Sequence, residues 1–232
     1  MKYWNQELPE SDLPKSQTLS WMHPDDEEGY WKNRPQGYTD TSITYRLNAH
    51  GYRGTEFDTP AEFKILVSGC SHTFGIGINE EDTWCNQFAQ RISGSKVYNL
   101  ALGGRSPDYV VRSIHKSIDV IKPNLVLVMW PDQSRFERPS EDGVSMAWWT
   151  ANDTQYPGEF TDAKYQDYNF EKNQLFLEFL CHSRGIPLIA KTFIEIQKMN
   201  PNDCLARDLM HDGPLWNYRS ANIYWQEFQK LF

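Results

Sequence analysis

A serine, an aspartate and a histidine stand at two places in the sequence where side chains of these types can act together. Ser71 lies in the run Gly69-Cys-Ser-His-Thr73, just after a short apolar stretch that ends at Val67. Asp208 and His211 stand far downstream and three residues apart, so within one turn their side chains can lie on the same side. The histidine could then accept the proton of the serine hydroxyl while the aspartate holds its other ring nitrogen. This arrangement suits acyl transfer through a serine nucleophile.

Residues beside the two motifs are alternatives for the same roles. Cys70 could act as the nucleophile, because His211 could pair with a thiol equally well. Neighbouring side chains in a tight turn point in different directions, so only one of Cys70 and Ser71 can face that histidine. Asp132 and Asp212 are alternative acids, although neither has the Asp-x-x-His spacing. The four histidines farther from the motifs have no assigned chemistry: His23, His50, His115 and His182.

The elements that must position these residues alternate between strand and helix from Phe63 onward. Ser106-Pro107 is a strong helix start, with serine as N-cap and proline at the first helical position. The alternation predicts a three-layer αβα sandwich with a mostly parallel sheet, whose site lies at the carboxyl ends of the strands. The predicted strands cover 63–67, 97–100, 125–129 and 186–190, and the predicted helices start near 82, at 106, and cover about 165–183 and 218–231.

The segments outside this alternation have a different composition. Residues 1–60 are polar and rich in proline and tryptophan, which predicts an arm that wraps a core domain of residues 61–232. Residues 136–163 predict an insertion loop. Within it, Trp148 and Trp149 could stack on sugar rings, form a protein contact or fold onto the core. Together with His72, which follows the candidate nucleophile, they are the candidate substrate-binding residues.

Composition excludes several classes of protein. The formal net charge of −8 and the isoelectric point near 5.3 argue against a nucleic-acid partner, because phosphate binding needs a basic face. No stretch approaches the roughly 18 apolar residues of a membrane span, and the N-terminus lacks the apolar region of a secretory signal. The four cysteines form no Cys-x-x-Cys pair, so neither a zinc site nor a disulfide framework is expected. The sequence thus predicts a soluble, cytoplasmic-type protein without metal or cofactor.

From about Asn48 to its C-terminus the chain resembles the SGNH (GDSL-like) hydrolase superfamily. The Gly69–Thr73 run resembles the first block of that family, Asn99-Leu-Ala-Leu-Gly-Gly104 the second, and Asp208-Leu-Met-His211 the fifth. Asn48-Ala-His-Gly-Tyr-Arg-Gly54 is similar to the lead-in of one branch. The resemblance implies that Ser71 is the nucleophile, with Asp208 and His211 completing the triad. It also implies that the backbone N–H of Gly104 helps to bind the oxyanion.

The third block departs from the family pattern, which is a strand followed by Gly-x-Asn-Asp. Here the strand runs into Pro131-Asp132-Gln133-Ser134, with proline at the glycine position and Gln133 where the family has its oxyanion-binding asparagine. Glutamine carries the same amide donor on a longer stem. The predicted oxyanion hole therefore consists of Ser71, Gly104 and Gln133.

Two functions follow from the resemblance and from this departure. The first is a serine ester hydrolase that removes a small acyl group, such as O-acetyl, from a carbohydrate or a similar polar substrate. The second is a structural or binding subunit of a larger assembly, for example a virion, with a catalytically weakened SGNH core. Both leave room for an oligomer, and hydrolysis of an activated acetyl ester separates them.

Overall fold

The chain folds around a four-stranded parallel sheet. This computed structural model describes residues 7–33, 42–140, 143–148, 162–200 and 205–231, with 33, 139–140 and 143–148 described through their backbone alone. The strands are β1 (Gln17–Leu19), β2 (Tyr45–Leu47), β3 (Phe63–Ser68), β4 (Ser95–Asn99), β5 (Leu125–Trp130), β6 (Arg135–Ser140), β7 (Gly143–Trp148) and β8 (Leu188–Thr192). The helices are α1 (Glu27–Asn33), α2 (Ser71–Phe74), α3 (Trp84–Ala89), α4 (Pro107–Ile121), α5 (Ala163–His182), α6 (Phe193–Met199) and α7 (Pro214–Phe228).

The order of strands in this sheet is β4-β3-β5-β8, and every neighbouring pair is parallel. All six residues of β5 are buried, as expected for a strand covered on both faces. Alternate side chains enter two different cores, because successive residues of a strand point to opposite faces. Leu66 and Val126 belong to one core, whereas Ile65 and Leu127 belong to the other.

Helices cover both faces of the sheet. The buried sides of α4 and α5 fill the first core, and those of α3, α6 and α7 fill the second. The predicted start of α4 is confirmed: Ser106 is its N-cap and accepts a hydrogen bond from the Tyr109 N–H at 3.2 Å, and Pro107 is the first helical residue. The predicted three-layer α/β sandwich with a parallel sheet is therefore confirmed.

The stretch expected as an insertion loop begins with regular structure. β6 and β7 pair as an antiparallel hairpin. Arg112 of α4 binds the Glu137 carboxylate with two hydrogen bonds of 2.7 and 2.8 Å, and the Glu137 N–H donates to Asp108 at 3.0 Å. These contacts hold the hairpin against α4. Trp149 and the rest of the stretch up to 161 lie outside the described residues, as does the side chain of Trp148.

The described residues before β3 supply buried side chains to the first core. β1 and β2 pair antiparallel, and the aromatic rings of Tyr45, Tyr52 and Phe57 are each at most 5% exposed. None of the helices in the described parts of the chain is both long and apolar enough to cross a membrane.

Candidate active site

The turn after β3 presents Ser71 at the first residue of α2. Gly69 makes this turn possible, because a side-chain carbon there would lie 2.2 Å from Thr73 Oγ1 and 2.9 Å from the Met129 carbonyl oxygen. Cys70 has extended backbone geometry and precedes the helix. Only Gly69 and Cys70 thus separate β3 from α2, and Ser71 is 9% exposed.

A buried arginine from the lead-in motif supports the segment that follows Ser71. The guanidinium of Arg53 donates to the carbonyl oxygens of Phe74, Gly75 and Ile78, and it lies 4.6 Å from the centroid of the Tyr45 ring. Arg53 is only 2% exposed. Sequence reasoning noticed this motif but assigned it no role. In the structure it fixes the backbone on which the candidate nucleophile stands.

Asp208 and His211 form a hydrogen-bonded pair within one tight loop. Their Oδ2 and Nδ1 atoms are 2.5 Å apart, and Asp208 Oδ1 accepts the N–H groups of Met210 and His211 at 3.1 and 3.0 Å. Leu209 takes a left-handed conformation, with φ of 59°, which lets the loop turn back on itself. The Ala206 N–H donates to the His211 carbonyl oxygen at 2.9 Å and closes the loop.

The electrostatics of this pair favour an ionised aspartate. Burial would raise the pKa of the Asp208 carboxyl, whose side chain is fully buried. The hydrogen bond and charge of His211, together with the two backbone N–H groups, outweigh burial and hold that pKa below its usual range. An ionised Asp208 can hold the ring Nδ1 of His211 and stabilise the imidazolium form.

Backbone contacts join this loop to the segment after Ser71. The Arg207 N–H donates to the Gly77 carbonyl oxygen at 3.0 Å. A side-chain carbon at Gly77 would lie 2.8 Å from the Cβ of Ala206. The two segments that carry the candidate triad therefore touch directly, and a larger residue at 77 would separate them.

Arg207 also holds the N-terminal segment beside the site. Its guanidinium binds both carboxylate oxygens of Asp25 at 2.9 and 2.6 Å, and it lies 3.8 Å from the centroid of the Trp21 ring. Tyr45 donates its hydroxyl to the same carboxylate at 2.5 Å. Asp25 and Arg207 are each 1% exposed. Sequence reasoning did not find this pair, because its members belong to motifs far apart in the chain.

Ser71, Gly104 and His211 line one cavity of about 400 Å³. Gly104 has a φ of 70°, which a glycine adopts without strain. Neither the Ser71 nor the Gly104 N–H donates a hydrogen bond to another group within the described part of the chain. The remaining lining residues are Asp12, Leu13, Met22, His23, Pro24, Phe74, Ile76, Leu102, Gly103, Arg105 and Arg135.

Gln133 is not brought together with these residues. Its side-chain amide donates to Asp167 of α5 at 2.8 Å, and Gln133 is not among the residues that line the cavity. Arg135, two residues further along, does line it. The role of Gln133 as a third oxyanion donor stays a prediction.

Cys70 and Asp132, two of the alternative site residues, do not line the cavity. Cys70 is 3% exposed. Asp132 accepts the Ser134 N–H at 2.7 Å within its own turn. Among the described residues, no three His, Cys, Asp or Glu side chains are arranged to hold a metal ion.

His72 is not among the residues that line the cavity, and it forms a second histidine–aspartate pair. Its Nδ1 atom lies 2.7 Å from Oδ2 of Asp212, and its ring stacks on Phe193 with centroids 4.1 Å apart. The rings of His72 and His211 are 4.9 Å apart. The structure thus places the His72 ring beside the candidate base, and a role of His72 in substrate binding stays a prediction.

Comparison with known proteins gives distant structural similarities. No family model matches the chain, and no curated protein matches it. It is similar to the esterase EstA from Pseudoalteromonas sp., with 11% identity, a TM-score of 0.41 and coverage of 73% of this chain and 98% of that one.

Two further structures illustrate this likeness. One is a lipase/acylhydrolase from Enterococcus faecalis, with 10% identity, a TM-score of 0.41 and coverage of 72% of this chain and 96% of that one. The other is a member of the lipolytic G-D-S-L family from Veillonella parvula, with 12% identity, a TM-score of 0.38 and coverage of 71% and 97%. At such TM-scores and identities, the activities of these proteins do not carry over to this chain.

Proposed function

We propose that this protein is a serine ester hydrolase with Ser71 as nucleophile, His211 as base and Asp208 as the acid that orients it. One observation carries the proposal: Ser71 and His211 line the same cavity, and His211 is hydrogen-bonded to a buried carboxylate through its other ring nitrogen. Both relations belong to those that nucleophilic catalysis by serine requires.

The reaction follows from this arrangement. Ser71 Oγ attacks the ester carbonyl carbon while His211 accepts the hydroxyl proton, and Asp208 stabilises the imidazolium. The N–H groups of Ser71 and Gly104 bind the oxyanion of the tetrahedral intermediate. His211 then protonates the leaving alkoxide, which leaves the acyl group on Ser71. Water activated by His211 attacks that acyl-enzyme and frees the acid.

The cavity supports a small acyl group attached to a polar alcohol. Apolar side chains form one part of its wall: Leu13, Met22, Pro24, Phe74, Ile76 and Leu102. Arg105 and Arg135 also line the cavity, and a guanidinium can donate to a polar alcohol. We propose an ester such as O-acetyl on a carbohydrate or a similar polar substrate.

Hydrolysis of an activated acetyl ester, together with labelling by a fluorophosphonate, tests the proposal. We expect wild-type protein to turn over the ester and to gain one label on Ser71, as read by intact-mass and peptide mass spectrometry. Ser71→Ala should lose both, with a fall in turnover on the order of 10⁶-fold where the nucleophile acts as in the serine proteases. In the same assay Asp208→Asn should lower turnover by up to about 10⁴-fold, because an amide favours the wrong imidazole tautomer.

Controls separate the alternatives. Cys70→Ala should keep both activity and label, and a label that moves to Cys70 would identify the thiol as the nucleophile. Asp132→Asn should stay active, and a loss equal to that of Asp208→Asn would show that Asp132 is the acid. Wild-type protein that is inert toward esters and is not labelled would favour the structural or binding subunit.

A further inference from the structure

Two histidine–aspartate pairs lie side by side at the candidate site, and the sequence connects them. His72 directly follows the nucleophile Ser71, and Asp212 directly follows the base His211. These two neighbours meet at 2.7 Å, between Nδ1 of His72 and Oδ2 of Asp212. This contact therefore links the segment that carries the nucleophile to the segment that carries the base. In each segment the contacting residue is the one that directly follows the candidate catalytic residue.

The contact is nearly buried, and each group depends on the other. The side chains of His72 and Asp212 are 18% and 4% exposed. The contact is not aligned as a regular hydrogen bond, and within the described parts of the chain neither of its two atoms has a hydrogen-bond partner. A buried polar group without a partner costs about 1–3 kcal/mol, and a charged one costs more. Removing either side chain therefore leaves the other unsatisfied beside the candidate triad.

The His72 ring packs against the rings of Phe193 and His211, so the contact with Asp212 also affects the position of His211. The His72 ring is stacked on Phe193 on one side and lies 4.9 Å from the His211 ring, inclined by 56°. A shift of His72 would free one side of the His211 ring. Asp208 fixes that ring at Nδ1, but a single hydrogen bond does not prevent it from tilting.

The charges around His72 are compatible with a neutral ring. Burial lowers the pKa of His72 below its usual range, although the close contact with the Asp212 carboxylate and its charge act in the opposite direction. His211 and Arg135 are the other charged or titratable groups that influence it, and both act to lower the pKa. A neutral His72 adds no positive charge beside His211 when the latter becomes an imidazolium.

We propose that the His72–Asp212 pair is a positioning bridge that sets the distance and angle between Ser71 Oγ and the His211 ring. This inference rests on the proposed function. His72 and Asp212 do not line the cavity, and in this proposal they act through the residues that precede them. A displacement of about 1 Å between reacting groups can cost about 10²-fold in rate.

Steady-state kinetics with the activated ester test the bridge. His72→Phe keeps a ring against Phe193 but removes Nδ1. We expect kcat to fall by about 10²-fold while KM changes little, because the cavity wall does not contain His72. Fluorophosphonate labelling of Ser71 should slow to the same degree, since it requires the same alignment. The same substitution at His115, a histidine of α4 that lies against Phe176, is the matched control and should leave kcat unchanged.

A double-mutant cycle and a conservative variant separate positioning from folding. Asp212→Asn retains an oxygen that can accept from His72 and should keep more activity than Asp212→Leu. Asp212→Leu combined with His72→Phe should be no slower than His72→Phe alone, because the bridge is then already absent. Thermal unfolding of each variant measures stability separately, and Asp212→Asn remains informative if Asp212→Leu does not fold.

Several outcomes would overturn the inference. These are an unchanged kcat in His72→Phe, a change confined to KM, or additive losses in the double variant. Each presupposes an active wild-type enzyme, in which case the proposed function stands and only the bridge fails. A wild-type protein that neither hydrolyses the ester nor reacts at Ser71 would instead refute the proposed function itself.

Discussion

The two central strands of the sheet, β3 and β5, run side by side in the same direction. The residues that follow them nevertheless lie in different surroundings. Two residues separate the end of β3 from helix α2, and Ser71, the first residue of that helix, lines the cavity. The turn after β5 continues through Pro131 into the hairpin, and the Gln133 amide binds Asp167 of α5. A position just after a strand is therefore not sufficient to place a side chain in the site.

The difference arises from what holds each turn. Two features hold the turn after β3. Gly69 lies close against Met129 of β5, and Arg53 donates hydrogen bonds to backbone carbonyl oxygens of the segment that follows. The turn after β5 is held from the other side, because Glu137 of the hairpin is bound by Arg112 and Asp108 of α4. Those contacts direct the start of the hairpin toward α4 and α5.

Gly104→Ala should have the largest effect of the changes that test this comparison. An alanine at a φ of 70° is strained and shifts the N–H that we assign to the oxyanion. Loss of one such donor typically costs about 10²–10³-fold in turnover. The measurement is kcat on an activated acetyl ester. Gly185→Ala is the matched control, at a similar φ of 65° after α5 and far from the site, and unchanged turnover in Gly104→Ala would remove the backbone donor from the mechanism.

Glu137→Gln should weaken the hairpin without affecting the chemistry. The variant keeps a hydrogen-bond acceptor but loses the charge that pairs with Arg112, so we expect the free energy of unfolding to fall by about 1–3 kcal/mol. Urea denaturation measures this loss, and kcat of the folded protein should be unchanged. The control is Glu227→Gln, whose partly exposed pairs should be worth at most about 1 kcal/mol. A strong fall in kcat of folded Glu137→Gln would mean that the end of β5 belongs to the site.

Gln133→Ala should have the smallest effect, because its amide is bound to Asp167 and does not line the cavity. Kinetics on the activated ester should give nearly wild-type kcat. Asp167→Ala releases the same amide and serves as the paired variant. A loss of about 10²–10³-fold in Gln133→Ala would instead support the three-donor oxyanion hole, with the side chain turning inward when substrate binds.

The parts of the fold that follow from local patterns could be predicted. The four parallel strands each overlap a run of apolar residues, and α4 begins at Ser106-Pro107. Both signals consist of residues that are adjacent in the sequence, so they can be recognised there. The short helix α6 was missed, although Thr192 and Glu195 form a capping box that signals its start. The Asp-x-x-His spacing also predicted a pair that the structure contains.

The parts that depend on distant contacts could not be predicted. The His72–Asp212 contact and the Asp25–Arg207 pair each join segments more than a hundred residues apart, and no local pattern indicates which charges meet. The orientation of Gln133 depends on α5, whose packing against α4 no motif encodes. No local pattern indicates that the Gln133 amide binds Asp167.

The ion pair of Asp25 with Arg207 joins residues 182 positions apart, and this separation affects the order of folding. Closing so long a loop costs chain entropy that is recovered only when the buried partners meet, and such non-local contacts slow folding. β3, α4 and β5 are close in sequence and can assemble before this contact forms. During synthesis Arg207 leaves the ribosome long after Asp25. The contact can therefore form only when most of the chain has been made. We therefore expect the proposed ester hydrolysis to recover on refolding only after the sheet has formed, because Pro24, next to Asp25, and His211, in the loop that carries Arg207, both line the cavity.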